Sequence, residues 1–274
     1  MNLKKLKDKK IIIFGSNSFI AKSIKKKFED NFTCIYFDKR INLSDKKLYK
    51  KYINNVYAIL NLAFITPNNL NLKDSRILFK NINLTKQIIK FSLEIKPKKF
   101  INFSTMSVYS ENSGTYDEQS PTNCEFNKDA NYGIAKLISE KLLFSHFNQT
   151  NIKLLNLRIS QVYGDGMNNS RIIPQMISEI TIKNQVTLFN KGERVSNFIS
   201  IKYLTKLLLL MVKSKYTGIY NVGEENISYL KLAKRIIIKY GNKNTKIIFK
   251  KDNFQVNKFY LNTNKLMKIF SNVK

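Results

Sequence analysis

Two cysteines and one histidine are all that the 274 residues contain of the usual soft metal ligands. Cys34 and Cys124 cannot build a disulfide framework, and with His146 alone they form no cluster at metal-ligand spacing. Most metal chemistry and most His-based triads are therefore excluded, and the protein is expected to be reduced and cytoplasmic. His146, near the end of a helical stretch, reads as a surface cap. Long apolar runs are also missing. The run after the basic start, Met1 to Lys10, is only Ile11 to Phe14, too short for a signal peptide. The longest, Leu207–Val212, is far below the ~20 residues of a membrane span. No membrane partner is expected. Acid is the third shortage, with 19 Asp and Glu against 48 Lys and Arg, a net charge of +29. Such an excess attracts nucleic acid or anionic lipid. Yet arginine, the side chain suited to bidentate phosphate and base contacts, is scarce, and the lysines are scattered among Asn and Ile. No specific nucleic-acid partner is expected; the positive field would instead help to capture a small, doubly anionic ligand.

Glycine is sparse too, nine in all, which gives weight to where the first one falls. Ile11-Ile12-Ile13-Phe14 is a continuous β-branched run that ends at Gly15, and a lysine-rich helical stretch follows to Phe28. That is the pattern of a buried parallel strand, a tight turn and a helix whose N-terminus can receive a pyrophosphate. A dinucleotide turn has three glycine places, and here Ser18 and Ala21 fill the second and third, with Phe19 and Ile20 between them at the helix start. The next run, Phe32 to Phe37, ends in Asp38, placed to accept from the adenosine ribose hydroxyls of NAD. Lys39 and Arg40 directly after it could instead hold the extra phosphate of NADP. Asn42 and Leu43 fall where an adenine edge would be met, and Asn42 offers both a donor and an acceptor there. A third buried strand, Tyr57 to Leu62, ends at the small Ala63. After a helix containing Asn81-Ile82-Asn83-Leu84-Thr85, Lys98 to Phe103 forms another strand, which delivers Ser104 to Tyr109 at its carboxyl end. This alternation predicts an α/β fold with a doubly wound parallel sheet. Ligands of such sheets bind beyond the carboxyl ends of the strands, so Gly15, Asp38, Ala63 and Thr105 would face one crevice.

Tyr132-Gly133-Ile134-Ala135-Lys136 then puts a phenol and an ammonium on one face of a helix. A free tyrosine has a pKa near ~10 and is a poor base at neutral pH. An ammonium about 4 Å away, at an effective dielectric of about 20, would favour the phenolate by roughly 4 kcal/mol, or about three pKa units. The expectation is a phenol tuned to give and take a proton.

In order and spacing, these segments resemble the extended short-chain dehydrogenase/reductase family of nucleotide-sugar epimerases, dehydratases and reductases. Leu157 to Gly164 and Gly218 to Gly223 extend the resemblance over nearly the whole chain. It implies a dinucleotide-binding Rossmann domain over residues 1–165 and a small substrate lobe, partly interwoven with it, over 166–274. It also implies NAD, with NADP as the alternative, a nucleotide-sugar substrate, a homodimer, and a place in surface-polysaccharide sugar synthesis. Tyr132 would be the acid/base, Lys136 would hold the nicotinamide ribose, Thr105 would donate to the reacting sugar oxygen, and Asn81 would support them. Leu62 and Ala63 would lie along the cofactor, and Ser107, Gln161 and Arg194 along the substrate. Arg158 reads as a structural ion-pair partner. Family dehydratases carry an Asp-Glu pair after the Ser/Thr; here Met106 and Ser107 stand there, which predicts an epimerase or 4-keto-reductase. The family's phosphate-binding arginine is replaced by Ser196, and Arg194 lies on the same face if the segment is a strand. The degenerate glycine turn leaves one alternative, a catalytically idle Rossmann sensor or scaffold that binds a dinucleotide or an anionic polymer.

Overall fold

Both faces of the first strand, β1 (Lys10–Phe14), are covered. Ile11 and Ile13 enter one core and Ile12 and Phe14 another, and each of the three isoleucines is 0% exposed. This is why the run is apolar without alternation. The computed structural model describes residues 7–66, 74–253 and 255–270. Residues 1–6 of the basic start and 271–274 lie outside them.

From β1 the chain continues through α1 (Phe19–Glu29), β2 (Thr33–Phe37), α2 (Lys46–Tyr52), β3 (Ala58–Asn61), α3 (Ser75–Ile95) and β4 (Lys99–Thr105). The short β5 (Gly114–Tyr116) precedes α4 (Ala130–Phe147), which leads to β6 (Lys153–Ile159) and β7 (Gln161–Tyr163). Next come α5 (Ile172–Lys183), β8 (Gln185–Phe189), β9 (Val195–Ser200), α6 (Ile201–Lys213) and β10 (Gly218–Val222). The last elements are β11 (Glu225–Ser228), α7 (Tyr229–Tyr240), β12 (Lys246–Lys250), β13 (Phe259–Leu261) and α8 (Asn264–Phe270).

Six strands form one parallel sheet in the order β10-β6-β4-β3-β1-β2. The fold is thus a Rossmann-like α/β sheet, and its order reverses between β1 and β3, the switch point where such sheets bind ligands. On one face α1 and α6 pack through Ile24, Phe28, Leu204, Leu207 and Leu208. On the other, α3 and α4 pack through Ile88, Phe91, Leu143 and Phe147. The sheet's edge strand β10 and the covering helix α6 come from the segment after residue 165. Of the apolar run Leu207–Val212, all but the exposed Leu210 join the core on this sheet. The remaining lobe has its own core, in which Met176 and Ile180 of α5 meet Val186 and Leu188 of β8 and Ala233 of α7. Among the described residues no helix is long and apolar enough to cross a membrane.

Candidate active site

At the switch point Gly15 has φ +74°, and a Cβ there would lie 2.7 Å from the backbone of Leu62 and Ala63. The demand for glycine therefore comes first from the chain itself, where the β1 and β3 ends pass each other. Ala21, at the third glycine place, is 1% exposed and belongs to the core beneath the sheet. Ser18 is the N-cap of α1, its Oγ accepting the Ala21 N–H at 3.2 Å. The N–H groups of Phe19 and Ile20 have no intrahelical acceptor, which leaves this helix start suited to an anion. These features fit a dinucleotide pyrophosphate.

Asp38 and Arg40 are partners here rather than alternatives. Arg40 donates to the Asp38 carboxylate from its backbone N–H at 2.9 Å and from its guanidinium at 2.6 Å, and these contacts hold the carboxyl below its usual range. Lys39 stays exposed. The Asn42 Oδ1 accepts the Ser44 N–H at 3.0 Å and the Leu43 side chain is 8% exposed in the core. Of the expected adenine contacts, the acceptor of Asn42 is thus used in a turn, and Leu43 faces inward because an apolar side chain gains more from the core.

Gly133 lets α4 approach the turn after β4, since a Cβ would collide with the Ser107 carbonyl oxygen and lie 2.8 Å from Cys124 Cβ. This approach sets Tyr132 beside Thr105, whose hydroxyl acts on the phenol as a hydrogen-bond partner. Thr105 Oγ1 also accepts the Ser107 N–H at 3.2 Å. The Tyr132 ring meets Phe64 edge-on, centroids 5.6 Å apart. Asn81, 1% exposed on α3, grips the backbone of the neighbouring Ile65 with both ends of its amide, at 2.8 and 3.0 Å. Lys136 is buried; its Nζ donates to the Phe103 carbonyl at 2.5 Å and sits 3.8 Å over the Phe64 ring.

The geometry corrects the expected tuning of Tyr132. Its phenol is pushed up to about 12, by burial first and then by the charge of Asp129, with Thr105 and Arg171 opposing. The Lys136 ammonium is 6.0 Å from the centroid of the phenol ring and is turned to the Phe103 carbonyl. Burial pushes Lys136 itself down to about 7, against the pull of Glu140.

Glu140 and Asp129 were not legible as site residues. Glu140 continues the Tyr132, Lys136 stripe by one more turn, which was the available signal. It is 2% exposed, takes a hydrogen bond from Ser104 and is bridged by Arg158 at 2.8 Å. Arg158 also donates to Tyr109 at 2.9 Å, and Tyr109 to Asn221 at 2.7 Å, so β4, α4, β6 and β10 share one buried polar chain. Arg158 is the ion-pair partner its position on a buried strand predicts.

On the substrate side, the Gln161 amide donates to Ser196 Oγ at 2.9 Å, joining β7 to β9. Arg194 precedes β9, so the strand geometry assumed for it does not reach that far; its guanidinium lies 5.8 Å from the Tyr229 ring centroid. Two hollows elsewhere are lined by other residues: one of about 1520 Å³ between α5 and α7, and one of about 730 Å³ at the amino ends of the strands.

The sequence model of the NAD dependent epimerase/dehydratase family matches residues 11–223. A dTDP-D-glucose 4,6-dehydratase of Dictyostelium discoideum is 24% identical over 256 residues, covering 85% of this chain and 57% of that protein. An uncharacterised UDP-glucose epimerase of Bacillus subtilis is 26% identical over 159 residues, covering 57% of this chain and 49% of that protein. The chain spans about half the length of these curated relatives. Among solved structures, the UDP-N-acetylglucosamine 4-epimerase of Methanobrevibacter ruminantium, in complex with UDP-N-acetylmuramic acid, shares the fold at TM-score 0.83 and 21% identity, over 96% of this chain and 92% of that one. The UDP-glucuronic acid 4-epimerase of Bacillus cereus, in complex with UDP-glucuronic acid and NAD, does so at TM-score 0.79 and 21% identity, over 96% and 93%. The family match begins in β1 and runs just past β10, the whole span of the parallel sheet, and on that ground the chain belongs to the NAD dependent epimerase/dehydratase family.

Proposed function

We propose that this chain moves a hydride between NAD and a carbon of a nucleotide sugar, as an epimerase or 4-keto-reductase, in surface-polysaccharide sugar synthesis. The observation that carries the reading is the set of Tyr132, Thr105 and Lys136 at the carboxyl end of β4, two sheet strands from the Gly15 turn. NAD, when bound, supplies the hydride acceptor or donor. The turn from Gly15 to Ile20 would hold its pyrophosphate and Asp38 its adenosine ribose. Lys136 has three donors and, among the described residues, one oxygen acceptor, which leaves N–H groups for the nicotinamide ribose.

Tyr132 would carry the proton of the carbinol, with Thr105 orienting the sugar oxygen. A phenol pushed up to about 12 is a donor at neutral pH. As it stands the site favours protonating an alkoxide that forms on ketone reduction. Elimination of water needs two groups with opposite proton duties, and Met106 and Ser107 supply neither. Asp129 reaches Ser107 from α4, but one carboxyl leaves one of the two transfers without a group.

Titration with NADH and NADPH, followed by nicotinamide fluorescence, tests the cofactor. Incubation of the NAD-loaded protein with UDP-sugars, with NMR of the products, tests the chemistry. If neither dinucleotide binds, the oxidoreductase reading fails and the chain joins the idle class.

A further inference from the structure

Among the described residues five α-helices begin with a side chain that caps the first turn: Ser18, Asp45, Asp74, Ser200 and Ser228. Asp129 stands at the same place before α4 and does not do this. An aspartate at an N-cap normally accepts from the second or third helical N–H, worth about 1 kcal/mol. Here that contact is given up. The backbone carbonyl of Asp129 accepts the Tyr132 N–H at 2.9 Å, and the charge of its carboxyl acts on the Tyr132 phenol. Its Oδ1 is buried and has no hydrogen-bond partner among the described residues. A buried acceptor without a donor costs free energy, so such an atom beside the reacting groups marks a place where a ligand donor belongs.

We propose that Asp129 is a substrate-contacting residue of this site, its free carboxylate oxygen accepting a hydrogen bond from a hydroxyl of the sugar. The proposal rests on the nucleotide-sugar reading above. Burial and the neighbouring Glu111 raise the carboxyl's pKa, and its own backbone N–H, Ser107 and Arg171 oppose them. Arg171, the N-cap residue of α5, acts on both Asp129 and Tyr132, so the substrate lobe faces the pair with a cation. The same carboxylate holds the phenol protonated. Substrate contact and control of the proton carrier therefore meet in one side chain.

The test compares UDP with UDP-glucose on the NAD-loaded protein by calorimetry, in the natural chain, Asp129→Ala and Asp129→Asn. In the natural chain the sugar adds affinity over UDP. Asp129→Ala removes roughly tenfold or more of that gain while UDP binds as before, and Asp129→Asn, which keeps an acceptor, restores part of it. In parallel, ¹³Cζ-tyrosine NMR follows Tyr132, assigned with Tyr132→Phe. Both Asp129 variants move its midpoint down by about one unit, because a negative charge beside it is gone. A merely structural Asp129 would lower thermal stability and leave both readouts still. A natural chain with no gain of UDP-glucose over UDP overturns the proposal. So does a sugar gain kept within twofold in both variants, or an unmoved phenol. If Asp129→Ala does not fold, Asp129→Asn decides by the phenol midpoint and a partial loss of sugar affinity. Failure of the natural chain to bind NAD or UDP counts instead against the function proposed above.

Discussion

Lys99 and Lys136 are both buried lysines bonded to a backbone carbonyl, and they serve opposite ends of the same strand. Lys99 opens β4, and its ammonium donates to the carbonyls of Met211 and Ser214 and to the Ser214 hydroxyl. Its three N–H groups are matched by three oxygens, and burial pushes it down only to about 8. Lys136 reaches the carboxyl end of β4 and has one oxygen, the Phe103 carbonyl, plus the face of Phe64. It falls further, to about 7. The saturated ammonium ties α6 to the sheet. The unsaturated one keeps donors for something outside the chain.

Four experiments can break or sharpen that contrast. The largest effect is expected from Tyr132→Phe, which removes the proton carrier beside Lys136; turnover should fall by roughly 10²–10⁴ while dinucleotide affinity stays within about twofold. Retained turnover would dissociate Lys136 from any catalytic set. Next in size is the charge that faces Lys136 one turn on. Glu140→Gln leaves Arg158 buried without a counter-charge and should cost about 3–5 kcal/mol, read as a fall in the thermal midpoint of about 6 °C or more.

The two lysines themselves should then part company. Lys99→Met takes the ammonium from the Ser214 carbonyl, while the Met211 carbonyl keeps the Ser214 hydroxyl and N–H, and should lower the midpoint by the equivalent of about 1–3 kcal/mol. Lys136→Met relieves a poorly compensated charge and should leave the midpoint equal or higher, while dinucleotide binding weakens. Equal destabilisation by both would erase the distinction. The smallest effect is a pH dependence. Both lysines lie below the ordinary value of 10.5 in the folded chain, so the unfolded chain binds more protons between about 7 and 10.5. Their cost is full below about 7 and is relieved as pH rises, so stability to denaturant should increase from pH 7 to 9.5 from these groups. The increase should shrink in Lys136→Met.

What the sequence disclosed and what it hid follow the same division. The strands were legible because Ile11, Ile12 and Ile13 must be apolar on both faces of a covered sheet. The stripe of Tyr132 and Lys136 was legible because helical spacing alone puts them on one face. The direction of the Lys136 ammonium was not, since its acceptor belongs to Phe103 on another element. Asp129 stands directly before α4, and only the fold shows that its side chain does not cap the helix. The place of α6 was hidden for a similar reason. An apolar stripe states that a helix must be covered, and it does not name the surface that covers it.

The position of β10 has a consequence for how the chain is made. It pairs along the edge of β6, yet it begins only at Gly218, long after β6 ends at Ile159. On the ribosome, β6 therefore emerges as a bare edge with unpaired N–H and C=O groups, and stays so while the segment between is synthesised. A nascent chain stalled before Gly218 should be prone to pair with strands of other molecules.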